Sequence, residues 1–210
     1  MKRSCELYLR VAAGRSDGWP DLEPLINIAR PSAVLVTGLG AGVNAASLRP
    51  FVAALRRLDL AVMIENDVHL AKELGADGVH LRAGEETLAD ARNLLGEQKS
   101  IGVSCVLSRH EAMLMAEGGA DYIAFGEFSA LGDAGAEDVA DMIEWWAEIF
   151  EVPCVAWSHE RYSDDELRGI IAAGPDYLSV ALDTGDGAGA RRYGAVAELA
   201  GIHADLTLPA

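Results

Sequence analysis

Asn66 and Asp67 stand side by side just behind the apolar run LAVMI (60–64), and Glu85 and Glu86 follow the next apolar run, DGVHL (77–81). A carboxamide beside a carboxylate offers a hydrogen bond to a substrate and a hard oxygen to a cation. Mg²⁺ takes oxygen ligands, often one or two carboxylates completed by water and substrate phosphates. Asp67 and Glu85 are therefore candidate metal ligands and Asn66 a candidate substrate contact. The same residues fit a plainer role, with Asn66 as a helix N-cap and Asp67 and Glu85 at the positive ends of helix dipoles. Glu127, in FGEF (125–128), is a candidate general acid/base if burial raises its pKa, and otherwise a solvated loop residue. His159 beside Glu160 is a second acid/base candidate. His80 reads as core, and His69 and His110 as solvated helix residues. The glycine-rich stretches TGLGAGVN (37–44) and DTGDGAGARR (183–192) offer backbone N–H groups to an anion, or are flexible turns.

These residues need a frame to bring them together. Short β-branched runs alternate with helical stretches. The strand candidates are 5–12, 33–37, 60–64, 77–81, 100–104, 121–125, 153–157 and 176–181; helical spacing marks 44–58, 85–96, 109–119, 137–150 and 163–174. Ser163 with Glu166 forms a capping-box pattern, and Ser108 or Arg109 opens another helix. One phrase recurs at three helix-to-strand junctions: GAD at 75–77, GAD at 119–121 and GPD at 174–176. Its glycine suits a left-handed helix cap, and the aspartate then opens a strand. Strand–helix alternation requires parallel strands and right-handed crossovers. The expected fold is a single (β/α)₈ TIM barrel over residues 1–210, with an open doubly wound parallel sheet as the alternative. A barrel sorts the acids by end. Asp77, Asp121 and Asp176 precede strands and belong to the structural bottom, whereas Asn66, Asp67, Glu85, Glu86 and Glu127 follow strands and belong to the catalytic top.

Composition narrows the function. The chain has 210 residues, 50% of them hydrophobic and 24% charged, which suits a soluble globular domain. A net charge of −16 repels nucleic acid and anionic lipid, so neither is an expected partner. Cys5, Cys105 and Cys154 are isolated, which argues against a disulfide framework or a structural zinc. With no signal-peptide pattern and no membrane-spanning run, a cytoplasmic location is expected. Trp145, Trp146, Ile149 and Phe150 form an apolar stretch that packs on the barrel or, where exposed, marks a possible homodimer surface.

The block VMIENDVHLAKELGADGVHL (62–81), with IGVS (101–104) and GGADYIAFG (118–126), resembles the thiamine-phosphate synthase and thiazole tautomerase superfamily. LYLRVAA (7–13) and EVPCVAW (151–157) are weaker matches. The resemblance implies a (β/α)₈ barrel of thiamine biosynthesis that joins a hydroxymethylpyrimidine pyrophosphate to a thiazole phosphate, a transferase using Mg²⁺. A tautomerase-like isomerase using Glu127, and a non-catalytic ligand- or partner-binding relative, are the alternatives. By resemblance Asp67 binds Mg²⁺ and Asn66 and Ser104 contact a phosphorylated heterocyclic substrate. Glu85 stands where the family carries a second metal-binding aspartate. Departures accompany the match. The family's Gln-x-Arg-x-Lys, Thr-x-Thr-Lys and Gly-Gly phosphate-gripping elements are replaced by LVTGLGAG (35–42), EFSALGDAGAED (127–138) and WSHERYS (157–163). The loss of these cations predicts weak or absent coupling.

Overall fold

A computed structural model describes residues 5–13, 22–40, 42–83, 88–127, 134–182 and 188–202, without the side chains of 27, 28 and 188–190. The strands are β1 (Glu6–Ala12), β2 (Ala33–Thr37), β3 (Ala61–Glu65), β4 (Gly78–Arg82), β5 (Ser100–Ser104), β6 (Tyr122–Phe125), β7 (Cys154–Trp157) and β8 (Tyr177–Leu182). Between them run α1 (Glu23–Ile28), α2 (Ala45–Arg57), α3 (Val68–Leu74), α4 (Leu88–Leu95), α5 (Arg109–Glu117), α6 (Ala136–Ile149), α7 (Asp164–Ala173) and α8 (Ala188–Leu199). Each strand pairs in parallel with the next, and β8 pairs with β1 to close the barrel. The (β/α)₈ expectation holds, and the open sheet is set aside.

The period-two alternation of each strand divides its residues between two cores. Leu7, Leu9 and Val11 of β1 face the helices, as do Val62 and Ile64 of β3 and Val79 and Leu81 of β4, all in the larger apolar cluster. Tyr8, Leu35, Met63, Tyr122, Ala124, Val155 and Trp157 fill the barrel interior as a second cluster. Helix ends are defined locally. Asn44 and Ser47 make a reciprocal capping box on α2, Ser163 and Glu166 another on α7, and Ser108 caps α5. Gly75 and Gly174 close α3 and α7 in the left-handed conformation, where a side chain would be strained.

The repeated Gly-x-Asp phrase ties the bottom of the barrel. Asp77 accepts the Val62 N–H at 2.9 Å, Asp121 the Ile101 N–H at 2.7 Å and Asp176 the Cys154 N–H at 2.9 Å. Each carboxylate thus satisfies a backbone donor near the start of the preceding strand. The ladders of β4, β6 and β8 accordingly begin one residue after the aspartate rather than on it.

In α6 the aromatic stretch packs inward. Trp146 is buried, stacks on Phe150 at 4.1 Å between centroids and donates its indole N–H to Val152 O at 2.8 Å. Trp145 lies under the Arg109 guanidinium. Among the described residues, the exposed large hydrophobic side chains are Leu114 and Ile149.

Candidate active site at the barrel mouth

The inward positions above the apolar interior bear polar or charged atoms: Arg10 on β1, Glu65 on β3, Arg82 on β4, Ser104 on β5, Trp157 on β7 and Ser179 on β8. Glu127 follows β6, and His80 lies one inward step below Arg82.

Arg82 organises one side. Its Nη2 lies 2.7 Å from Glu127 Oε1, and its Nε lies 3.2 Å and 3.4 Å from the two carboxylate oxygens. Glu127 is only 6% exposed, so a buried carboxylate meets a guanidinium, the strong form of a charge-assisted bond. The Arg82 backbone N–H donates to Asn66 Oδ1 at 2.6 Å, and the Asn66 N–H donates to His80 O at 2.8 Å. Asn66 takes φ 51, a left-handed conformation that asparagine tolerates better than most side chains. Asn66 is therefore a clasp between β3 and β4. The N-cap of α3 is Asp67, one residue later than expected, with Oδ1 accepting the Leu70 N–H at 2.7 Å. A side-chain-bonded N-cap typically has extended backbone, which Asp67 has and the left-handed Asn66 lacks.

Glu65 supplies the second carboxylate. Its Oε2 accepts the Gly38 N–H at 3.0 Å. Burial raises its pKa above the ordinary carboxylate value; the Gly38 bond opposes this, the Glu127 charge adds to it, and Arg82 and Arg10 oppose it.

Arg10 supplies a second cation. Its Nη2 donates to Ser158 O at 2.7 Å, and its guanidinium lies 4.3 Å from the Trp157 ring centroid. Burial lowers its pKa to about 10, against the opposing pull of Glu127, Glu65 and Glu160, so the group stays cationic at neutral pH. Below it, His80 Nδ1 lies 2.9 Å from Tyr122 Oη, which lies 2.8 Å from Tyr8 Oη. Burial lowers the His80 pKa to about 4; Glu127 opposes the shift, while Arg10 and Arg82 add to it. The ring is neutral at ordinary pH. Arg10 Nε, His80 Nε2, Ser104 Oγ, Trp157 Nε1 and Ser179 Oγ are buried and lack a hydrogen-bond partner among the described residues.

The expected site residues thus separate. Asn66 and Glu127 meet through Arg82, and Ser104 is the register partner of Arg82 on β5. Asp67 is committed in part to its cap. Glu85 lies outside the described residues, as do Glu86 and residues 183–187. His159 accepts the Arg161 N–H within its own loop. Among the described residues no three His, Cys, Asp or Glu side chains form a metal-binding group. Sequence reasoning missed Arg10, Glu65 and Trp157 as mouth residues and placed His80 in the core without a task. A signal existed in LYLRVA (7–12), where Arg10 shares the period-two face of Tyr8 and Ala12 rather than that of Leu7, Leu9 and Val11.

Comparison with known proteins agrees with this architecture. A family model described as thiamine monophosphate synthase matches residues 44–159. The thiamine-phosphate synthase of Erythrobacter litoralis is 40% identical over 149 residues, 69% of each chain. That of Rhodospirillum centenum is 39% identical over 135 residues, and the match spans 63% of each chain. In fold, a thiamine phosphate pyrophosphorylase from Pyrococcus furiosus superposes with a TM-score of 0.72 at 19% identity, over 95% of this chain and 96% of that one. The matched span contains Asn66, Asp67, His80, Arg82, Ser104, Glu127 and Trp157, and on these grounds the chain belongs to the thiamine monophosphate synthase family.

Proposed function

We propose that the chain carries out thiamine-phosphate synthase-like chemistry at the barrel mouth, joining a hydroxymethylpyrimidine pyrophosphate to a thiazole phosphate. The bond from the pyrimidine methylene carbon to the pyrophosphate breaks, and its electron pair leaves on the pyrophosphate oxygen. The thiazole supplies the pair for the new bond. Negative charge gathers on the leaving group, so fixed cations and donors lower the barrier. The observation that carries this reading is the pair of arginines, Arg10 and Arg82, on inward positions of β1 and β4. They offset in part the cations that the loops lack. In this reading Ser104 and the Asn66 amide nitrogen contact the substrate, and Glu127 orients Arg82.

Mg²⁺ fits here only as an ion completed by its substrate. Asp67, with Oδ1 already bonded to the Leu70 N–H, would hold it through Oδ2, and Glu85 is the second proposed ligand. When bound, the ion neutralises pyrophosphate charge. A homodimer, if formed through α5 and α6, would use Leu114 and Ile149.

The test is coupling of the two substrates by purified protein, with Arg82→Met alongside. Wild type is expected to form product and the variant to lose at least tenfold in kcat/KM, the scale of one charged hydrogen bond. A wild type that binds both substrates yet forms no product overturns the synthase reading. The buried Glu127 carboxylate then favours the second reading, a tautomerase-like proton transfer on the thiazole phosphate.

A further inference from the structure

Three side chains form the floor of the mouth. The Arg10 guanidinium lies 4.3 Å from the Trp157 centroid, and Trp157 lies 5.8 Å from the His80 ring. His80 is 2% exposed and Trp157 6%. Each presents one buried nitrogen without a partner among the described residues: Arg10 Nε, Trp157 Nε1 and His80 Nε2. The first two only donate. The third depends on which imidazole nitrogen carries the proton.

The tyrosine chain and the bound group decide that together. Each phenol has one proton to give. If Tyr122 donates to His80 Nδ1, it accepts from Tyr8; both phenol protons then have acceptors, and the imidazole proton stands on Nε2. In the reverse order Nδ1–H donates to Tyr122 and Tyr122 to Tyr8. The Tyr8 proton then has no acceptor among the described residues. Each order leaves one buried donor unpaired, Nε2–H in the first and the Tyr8 O–H in the second; an acceptor at Nε2 pairs every donor in the first order only, and so selects it. Around such an acceptor the floor therefore presents three N–H donors.

Arg10 adds a full charge. Among the described residues it makes no ion pair; its guanidinium meets the Ser158 carbonyl and the Trp157 face. A buried cation with no carboxylate in contact is expensive unless an anion completes it. A donor-rich or cationic ligand would leave Arg10 Nε and Trp157 Nε1 unpaired. An oxyanion accepts from all three.

We propose that Arg10, His80 and Trp157 form an oxyanion-binding floor, which takes a phosphate or carboxylate group of the ligand and replaces cations absent from the loops. The Tyr8–Tyr122 relay serves it by holding His80 in the Nε2–H form. This deepens the synthase reading and rests on the mouth being the ligand site.

The test is NMR titration of the whole ¹⁵N-labelled protein with inorganic phosphate, pyrophosphate and acetate, at neutral pH and constant ionic strength. The Trp157 indole resonance is identified by its loss in Trp157→Phe. The indole N–H of Trp157 and the His80 Nε2–H are expected to shift downfield together and to saturate with one Kd. Preference for phosphate or pyrophosphate over acetate identifies the source as a phosphate group, and the reverse identifies a carboxylate. Arg10→Met should weaken the favoured anion at least tenfold, as expected for a charged hydrogen bond. Tyr122→Phe should weaken it less and mix the His80 ring ¹⁵N pattern between Nε2–H and Nδ1–H. An indole resonance unmoved by all three anions overturns the proposal, as does an Arg10→Met protein that binds like wild type. If Arg10→Met fails to fold, the wild-type titration decides alone. Anion binding at the floor without coupling would defeat the synthase reading and leave the floor standing. Coupling by Arg10→Met with unchanged KM for both substrates would do the opposite.

Discussion

Glu127 illustrates how one contact redefines a residue. A carboxylate at the end of β6 suits proton transfer, but protonating it would break the Arg82 pair. Glu127→Gln is therefore expected to keep the fold, raise KM for the phosphorylated substrate and change kcat less than tenfold. Proton exchange on a thiazole phosphate in D₂O gives the contrasting readout. A loss there of about 10²–10⁴, the usual contribution of an acid/base group, would assign proton transfer to Glu127. His80 makes a stability prediction. Its folded pKa of about 4 lies below the ordinary 6.5, so the unfolded chain binds more protons between these values. The stability tied to its neutral state is present above pH 6.5 and is lost as pH falls through about 4. The shift corresponds to about 3 kcal/mol. Urea unfolding at neutral pH and near pH 4 should show a smaller acid loss in His80→Gln than in wild type.

At the scale of elements, β5 is built around an absence. Gly102 is the register partner of both His80 and Tyr122. A Cβ on Gly102 would fall 1.9 Å from Tyr122 Cζ, so the missing side chain is the space that the phenol occupies to reach His80. Gly102→Ala is expected to cost about 1–3 kcal/mol or more through overpacking and to break the Tyr122–His80 bond. Gly169 in α7 is the control, since a Cβ added there would meet nothing within 4 Å. Gly169→Ala should stabilise by about 0.5–1 kcal/mol. Paired urea unfolding curves and the His80 ring ¹⁵N pattern check both. The bottom of the barrel uses the opposite device, three aspartates that bridge neighbouring strands by side-chain bonds to backbone N–H groups.

Across the whole molecule, net charge and local charge differ. The chain carries −16, whereas at the mouth Arg10 and Arg82 stand against Glu65 and Glu127, and buried N–H donors add to the cations. Long-range repulsion then slows the approach of an anion that the local site attracts. Salt screens the first effect more than the second, because the Debye length falls from ~30 Å at ~0.01 M to ~10 Å at ~0.1 M. Pyrophosphate association, followed by stopped-flow Trp fluorescence, is expected to accelerate over that range of a non-coordinating salt. A rate that falls instead would mean that the mouth's own field dominates at a distance.

The local order of residues by itself determined the elements and the ends of the barrel. Period-two runs, helix caps and the Gly-x-Asp phrase are short-range effects, settled within a few residues of the chain. Hence the strands to within one residue, the Ser163–Glu166 capping box and the bottom placement of Asp77, Asp121 and Asp176 were legible, as was the top placement of Asn66 and Glu127. Which of two adjacent polar residues caps α3 depended on a left-handed backbone at Asn66, itself held by the Arg82 N–H across a strand pair. The site's working contacts are longer still. Tyr8 meets Tyr122 across 114 positions, Arg10 meets Ser158 across 148 and Arg82 meets Glu127 across 45. Only closure of the barrel brings such groups within a few ångströms and excludes the water that would otherwise satisfy them. Burial, unpaired donors and shifted protonation are products of that closure, and no local pattern of residue types contains them.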